Sequence, residues 1–211
     1  MNQEIFVQKF KSAIESGLPG EESHALLMPL NRPFTSSILK SKITYRDCAV
    51  GVILYPKSNS IYCILIKRQK YEGIHSAQIC FPGGKKDEDD KDLEFTARRE
   101  CSEEINFPVG KGNLIGILST VYIPISKFMV QPNIFMVDSL PPLVPNPLEV
   151  ESIISFDVFT LKNESIVKKT DMKFSNGIKR KNIPYFEIEG HIVWGATAMM
   201  LSELKTIINR F

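Results

Sequence analysis

Pro82-Gly83-Gly84 leaves the backbone of this chain fewer choices than any other stretch. Proline has no amide hydrogen to offer a ladder and adjacent glycines reach positive φ cheaply, so the strand-like run ending at Phe81 must turn there. A backbone so bare can also approach a ligand closely. Lys85-Lys86-Asp87-Glu88-Asp89-Asp90-Lys91-Asp92 follows, a polar loop whose last residue is a good N-cap for a helix starting near Leu93. The pattern predicts strand, turn, charged loop and helix in direct succession.

On that helix, expected over about 92 to 105, Glu100, Glu103 and Glu104 stand three and four residues apart. At roughly 100° per residue they fall within about a 100° arc of one face. Carboxylates so spaced repel, by a few tenths of a kcal/mol on an isolated helix, and a bound cation would relieve the repulsion. Hard carboxylate oxygens suit Mg²⁺ or Mn²⁺, and magnesium characteristically takes one or two carboxylates together with substrate phosphate oxygens. The plain alternative is a solvated face paired with Arg99 or Lys91. The glycine turn sixteen residues before Glu100 favours the metal reading.

The rest of the chain supplies a core. At 211 residues, 43% hydrophobic and 24% charged, one globular domain is sufficient, and a net charge of +2 carries no field suited to bulk nucleic acid or an anionic membrane. No stretch has secretory or membrane-spanning length, and Cys48, Cys63, Cys80 and Cys101 form no zinc or disulfide pattern, so a cytoplasmic protein is expected. Residues 2 to 17 place Ile5, Phe6, Phe10 and Ile14 at helical spacing, predicting a first helix, and residues 1 to 30 read as that helix and a connecting segment packed on a domain spanning 31 to 211. Runs at 47–56 and 61–67 predict a hairpin; further strands are expected at 76–81, 113–121, 128–137 and 149–158, and a last helix at 195–210. These elements make an α+β domain, a mixed sheet covered by helices. Lys168-Lys169 and Lys179-Arg180-Lys181 read as solvated loop charges or as contacts to a substrate phosphate.

Gly84 followed by Arg99-Glu100-Cys101-Ser102-Glu103-Glu104 resembles the Nudix box, G-x5-E-x7-R-E-U-x-E-E-x-G-U. One extra residue separates Gly84 from Arg99, Asp90 stands near the place of the first Glu, and Asn106-Phe107 replaces the closing glycine and aliphatic residue. The coenzyme A pyrophosphatase branch of that family is similar in the Phe81-Pro82-Gly83-Gly84 turn and in the placing of Asp87 and Asp90. Its upstream signature is matched at Arg68, His75 and Gln78, but Gln69, Glu72, Gly73 and Ala77 depart from it, and Gly73 stands where the branch has an arginine. Segments around Pro124 to Pro132, Asn146 to Val150 and Val193 to Ala198 also look like this branch.

The resemblance implies a Nudix α/β/α sandwich and divalent-metal hydrolysis of coenzyme A or its acyl derivatives to adenosine 3′,5′-bisphosphate and 4′-phosphopantetheine. It implies metal binding by Glu100, Glu104, Glu103 and the Gly84 carbonyl, with Glu103 as general base and Arg99 orienting the carboxylates; Glu149 or Glu151 are alternative bases. Arg68, His75, Gln78 and Gly83 are the expected substrate contacts. The alternatives are a Nudix pyrophosphatase for NADH or ADP-ribose, motivated by Gly73, and a catalytically silent nucleotide-binding module. The expected partner is a small molecule, neither nucleic acid nor membrane, with a homodimer left open.

Overall fold

The computed structural model describes residues 1–71, 76–173, 177 and 179–211. In chain order they form α1 (Gln3–Glu15), α2 (Glu21–Leu27), α3 (Thr35–Leu39), β1 (Arg46–Lys57), β2 (Ser60–Arg68), β3 (Ile79–Cys80), β4 (Gly83–Lys85) and α4 (Leu93–Ile105). Then come β5 (Asn113–Ile117), β6 (Val121–Ile123), β7 (Phe128–Met136), β8 (Val150–Asp157), two 3₁₀ turns at 158–162 and 164–166, β9 (Val167–Lys173), β10 (Lys179–Ile188), β11 (His191–Trp194) and α5 (Gly195–Ile208).

The main sheet runs β3-β2-β1-β7-β5, with β4 beside β1, β6 beside β7 and β8 beside β2. β1 and β7 are parallel and their other neighbours antiparallel, so the sheet is mixed as expected. The β1–β2 hairpin closes on Ser58 and Asn59, both at positive φ, which suits a two-residue turn between right-twisted strands. β1 buries both faces, because alternate residues point opposite ways. Val52 and Leu54 join a core with Phe6 and Phe10 of α1 and most of α5, while Ile53 and Tyr55 join Cys101 and Ile105 of α4. That is helix, sheet, helix.

The sequence expectations differ from this architecture in three places. β9, β10 and β11 form a second, three-stranded antiparallel sheet where only loops and basic clusters are expected; its lysine-rich strands lack a clean apolar alternation. α2 and α3 are unexpected because helices of seven and five residues are marginal alone and depend on tertiary contacts. The expected 113–121 strand is two, β5 and β6, and the expected 76–81 strand is only Ile79–Cys80, since Ala77 turns at positive φ. Among the described residues no helix is long and apolar enough to cross a membrane.

Candidate active site

The site grows from the turn read first. Gly83 lies at φ 151, and a Cβ there would stand 2.4 Å from the Ala49 carbonyl oxygen, so the turn presses onto β1 as only glycine allows. A Cβ on Gly84 would meet the Glu100 carboxylate carbon at 2.5 Å. The glycines thus make room for the helix carboxylates. α4 begins as expected, with Asp92 Oδ1 accepting the Phe95 amide at 2.7 Å. It ends at Asn106 in the left-handed conformation, which asparagine tolerates nearly as glycine does, and Phe107 then fills the core. The Asn106-Phe107 departure from the motif therefore keeps a glycine-like helix end.

Arg99 fastens the charged loop to the helix. Its Nε and Nη2 donate to the two oxygens of buried Asp90 at 2.9 Å each, Nη2 also reaches the Lys85 carbonyl, and Nη1 reaches Glu100 at 3.1 Å and Glu103 at 3.0 Å. Asp90 also accepts from Thr96 and the Asp87 amide, and Arg99 above all holds its carboxyl far below the usual carboxylate range. Arg99 has thereby committed its donors to protein groups, which makes it a positioning residue.

Glu104 is 1% exposed, with Oε1 accepting from Arg68 Nη1 and Oε2 from the Gly83 amide, each at 2.8 Å. Burial pushes its pKa up to about 7 against the pull of Arg68 and Gly83, and the charges of Glu100 and Glu149 push the same way. Glu100 is raised too, by burial first and against Arg99, with Glu103 and Glu149 adding to the rise. Glu149 is carried to this place by the 146–150 turn, where the Asn146 amide donates to the Glu104 carbonyl and the Gln69 amide to the Glu149 carbonyl, both at 2.8 Å.

One cavity of about 580 Å³ collects these groups. Glu100, Glu104, Glu149, Gly84 and Arg68 line one part, and Ile123, Phe128, Trp194 and Met200 form an apolar wall. Gly83 and Gln78 line it as well, with the Gln78 carbonyl accepting the Arg68 amide at 3.0 Å. Glu103 and Arg99 are not among its lining residues; the Glu103 side chain is 52% exposed on the outer face of α4. His75 lies outside the described residues.

Among the described residues, no three Asp, Glu, His or Cys side chains converge as a ready-made metal cage. Magnesium seldom needs one, since substrate phosphates complete its shell. Glu100 and Glu104 fit a hard divalent cation: two partly desolvated carboxylates, each raised in pKa chiefly by burial, retain lone pairs beyond those their arginines use.

Sequence reasoning missed Arg32, which lines the same cavity from the segment between α2 and α3. A single arginine before a proline in a connector has no periodicity to mark it. It also missed buried His24 and Glu203, whose side chains meet at 3.1 Å.

The NUDIX domain family matches residues 46–163. The chain is 33% identical over 175 residues to the mitochondrial coenzyme A diphosphatase NUDT8 of Homo sapiens, covering 80% of this chain and 67% of that protein. It is 31% identical over 147 residues to an uncharacterized Nudix hydrolase, NudL, of Photorhabdus laumondii, covering 67% of this chain and 74% of that one. Among solved structures it resembles the Nudix hydrolase RenU of M. Smegmatis, with a TM-score of 0.53 at 13% identity over 88% of this chain and 94% of that one, a likeness of fold alone.

Proposed function

This chain belongs to the Nudix hydrolases, and on that premise we propose that it cleaves the pyrophosphate of coenzyme A or its acyl derivatives with water. The products are adenosine 3′,5′-bisphosphate and 4′-phosphopantetheine or its acyl form. The observation that carries the reading is the cavity in which Glu100, Glu104 and Glu149 come together with Arg68 and an apolar wall. Such a space suits a diphosphate with an organic group on either side. The identity to a coenzyme A diphosphatase supports the choice of substrate.

Nudix hydrolases generally need divalent metal ions, and here Glu100 and Glu104 would hold Mg²⁺ or Mn²⁺, which when bound supplies Lewis-acid charge for the phosphoryl oxygens. Arg99 fixes the rotamer of Glu100, and Arg68 and the Gly83 amide fix that of Glu104. A water oxygen bonds to phosphorus, the bridging P–O bond breaks toward the leaving phosphate, and the water proton passes to a carboxylate. Glu149 suits that base better than Glu103, because it lines the cavity whereas Glu103 points outward against Arg99.

Product analysis tests the reading. With Mg²⁺ present, coenzyme A should give equimolar adenosine 3′,5′-bisphosphate and 4′-phosphopantetheine. Release of inorganic phosphate, or no turnover, would sink it. An ADP-ribose or NADH pyrophosphatase is the second reading, which the glycine at position 73 favours through the arginine it lacks.

A further inference from the structure

Two cations in the same cavity have no role in the chemistry above. Arg32, between α2 and α3, and Arg180, on β10, both line it. Among the described residues neither forms an ion pair with a carboxylate: Arg32 Nη2 donates to the Tyr122 carbonyl at 2.5 Å, and Arg180 Nη1 to the Leu30 carbonyl at 3.4 Å. Among the described residues their partners are neutral carbonyls, and Arg180 is also open to solvent. The Nε of Arg32 is sealed from solvent with no hydrogen-bond partner. Burial pulls the Arg32 pKa down to about 10, the mark of a cation held without a counter-ion. A guanidinium desolvated in this way costs free energy that a nearby anion would offset.

The sheet gives the position of this pair. Tyr122 on β6 stands opposite Met129 on β7, Met129 opposite Asp47 on β1, and the Asp47 carbonyl accepts the amide of Lys86, two residues beyond Gly84. Arg32, seated on Tyr122, is therefore about three strand spacings, roughly 14 Å, from the backbone of the glycine turn. An arginine side chain shortens that gap. Arg180 binds the carbonyl of Leu30, two residues from Arg32, so both guanidinium groups belong to the end of the cavity away from Glu100 and Glu104.

We infer that Arg32 and Arg180 form a second anion subsite, fitted to a phosphate monoester on the nucleotide half of the substrate, separate from the pyrophosphate that is cut. Planar guanidinium groups bind a terminal phosphate through paired charge-assisted hydrogen bonds, and a dianion would neutralise both charges. Arg32 lies outside residues 46–163, so the segment before the family domain supplies specificity to the site within it. The inference rests on the proposed coenzyme A reading, in which the 3′-phosphate is that second anion.

Steady-state kinetics of the full chain with Mg²⁺ on coenzyme A and on 3′-dephospho-coenzyme A, identical but for that phosphate, tests it. The wild type should show a lower KM for coenzyme A by at least about tenfold, the scale of a lost charge-assisted contact, and Arg32→Ala should bring the ratio of the two KM values toward one. Arg180→Ala should move the ratio the same way; its side chain is exposed, so it serves if Arg32→Ala fails to fold. Arg32→Lys, which keeps charge and loses the fork, should fall between. Calorimetry should show adenosine 3′,5′-bisphosphate binding more tightly than AMP to the wild type and no such preference in the variants. A wild-type ratio near one, or variants that leave the ratio in place, overturns the subsite while leaving coenzyme A hydrolysis standing. Turnover of ADP-ribose or NADH with neither coenzyme A species cleaved overturns both.

Discussion

At the scale of single residues, the carboxylates of α4 divide by what they touch. Glu100 and Glu104 face the cavity, and Glu103 faces solvent beside Arg99. Glu100→Gln and Glu104→Gln should each lower kcat by about 10² or more, and Glu149→Gln by about 10² to 10⁴ if it is the base, whereas Glu103→Gln should cost less than about tenfold. A kcat comparison across the four variants checks the assignment, and equal losses at Glu103 and Glu149 would undo it. Gly84→Ala is a sharper probe of placement, since the added methyl would lie 2.5 Å from the Glu100 carboxylate carbon. It should cut kcat while circular dichroism stays unchanged. Glu100 and Glu104 were legible in the sequence because helical periodicity alone puts them on one face. What their oxygens bind was not, since Arg68 and the Gly83 amide arrive from 36 and 21 residues away. Arg32 was illegible for the same reason, its meaning depending on a strand carbonyl 90 positions along the chain.

At the scale of elements, the loop before α4 keeps its shape through Asp90 and Arg99. The acid stands near the place of the motif's first glutamate, and the structure buries it and gives it a bidentate partner in Arg99 and two further donors. Asp90→Ala would leave Arg99 without its main anchor, and breaking a pair of this kind typically costs about 3 kcal/mol. A fall of that order in unfolding free energy from urea titration is expected, with activity falling alongside because Glu100 loses its positioned neighbour. Stability unchanged within about 0.5 kcal/mol would contradict the role. The elements that sequence patterning found are those with long runs of their own, α1, α4, α5, the β1–β2 hairpin, β7 and β8. The second sheet was hidden because Lys168, Lys169, Lys179 and Lys181 disguise its strands, and a strand recognised by its pairing has no signature within its own residues.

At the scale of the whole molecule, one buried carboxylate joins the N-terminal segment to the domain. Glu203 on α5 accepts from the Gly20 amide, the Ser119 amide and hydroxyl, and meets His24, at 2.7 to 3.1 Å. Burial alone would raise its pKa, but these partners, His24 first, hold it below the ordinary carboxylate value. A carboxylate lowered in the folded state adds stability that is present above its unfolded pKa of 4.5 and is lost as pH falls through the folded value. Denaturation midpoints should therefore drop on acidification below about pH 4.5, and Glu203→Gln should flatten that part of the profile. A profile identical to the wild type would show that Glu203 does not carry the acid sensitivity. The same clamp orders α2, whose C-terminal end leads to Arg32, so the segment that carries the second anion site is held by the domain that carries the first.

The comparison that bears most directly on the whole account is kcat/KM for coenzyme A, ADP-ribose and NADH, measured side by side on the purified chain with Mg²⁺ and with Mn²⁺. Coenzyme A should lead by at least about tenfold, and Glu100→Gln should lower that turnover by about 10² or more with either metal. ADP-ribose or NADH cleaved far faster than coenzyme A, or undiminished hydrolysis in Glu100→Gln, would contradict it.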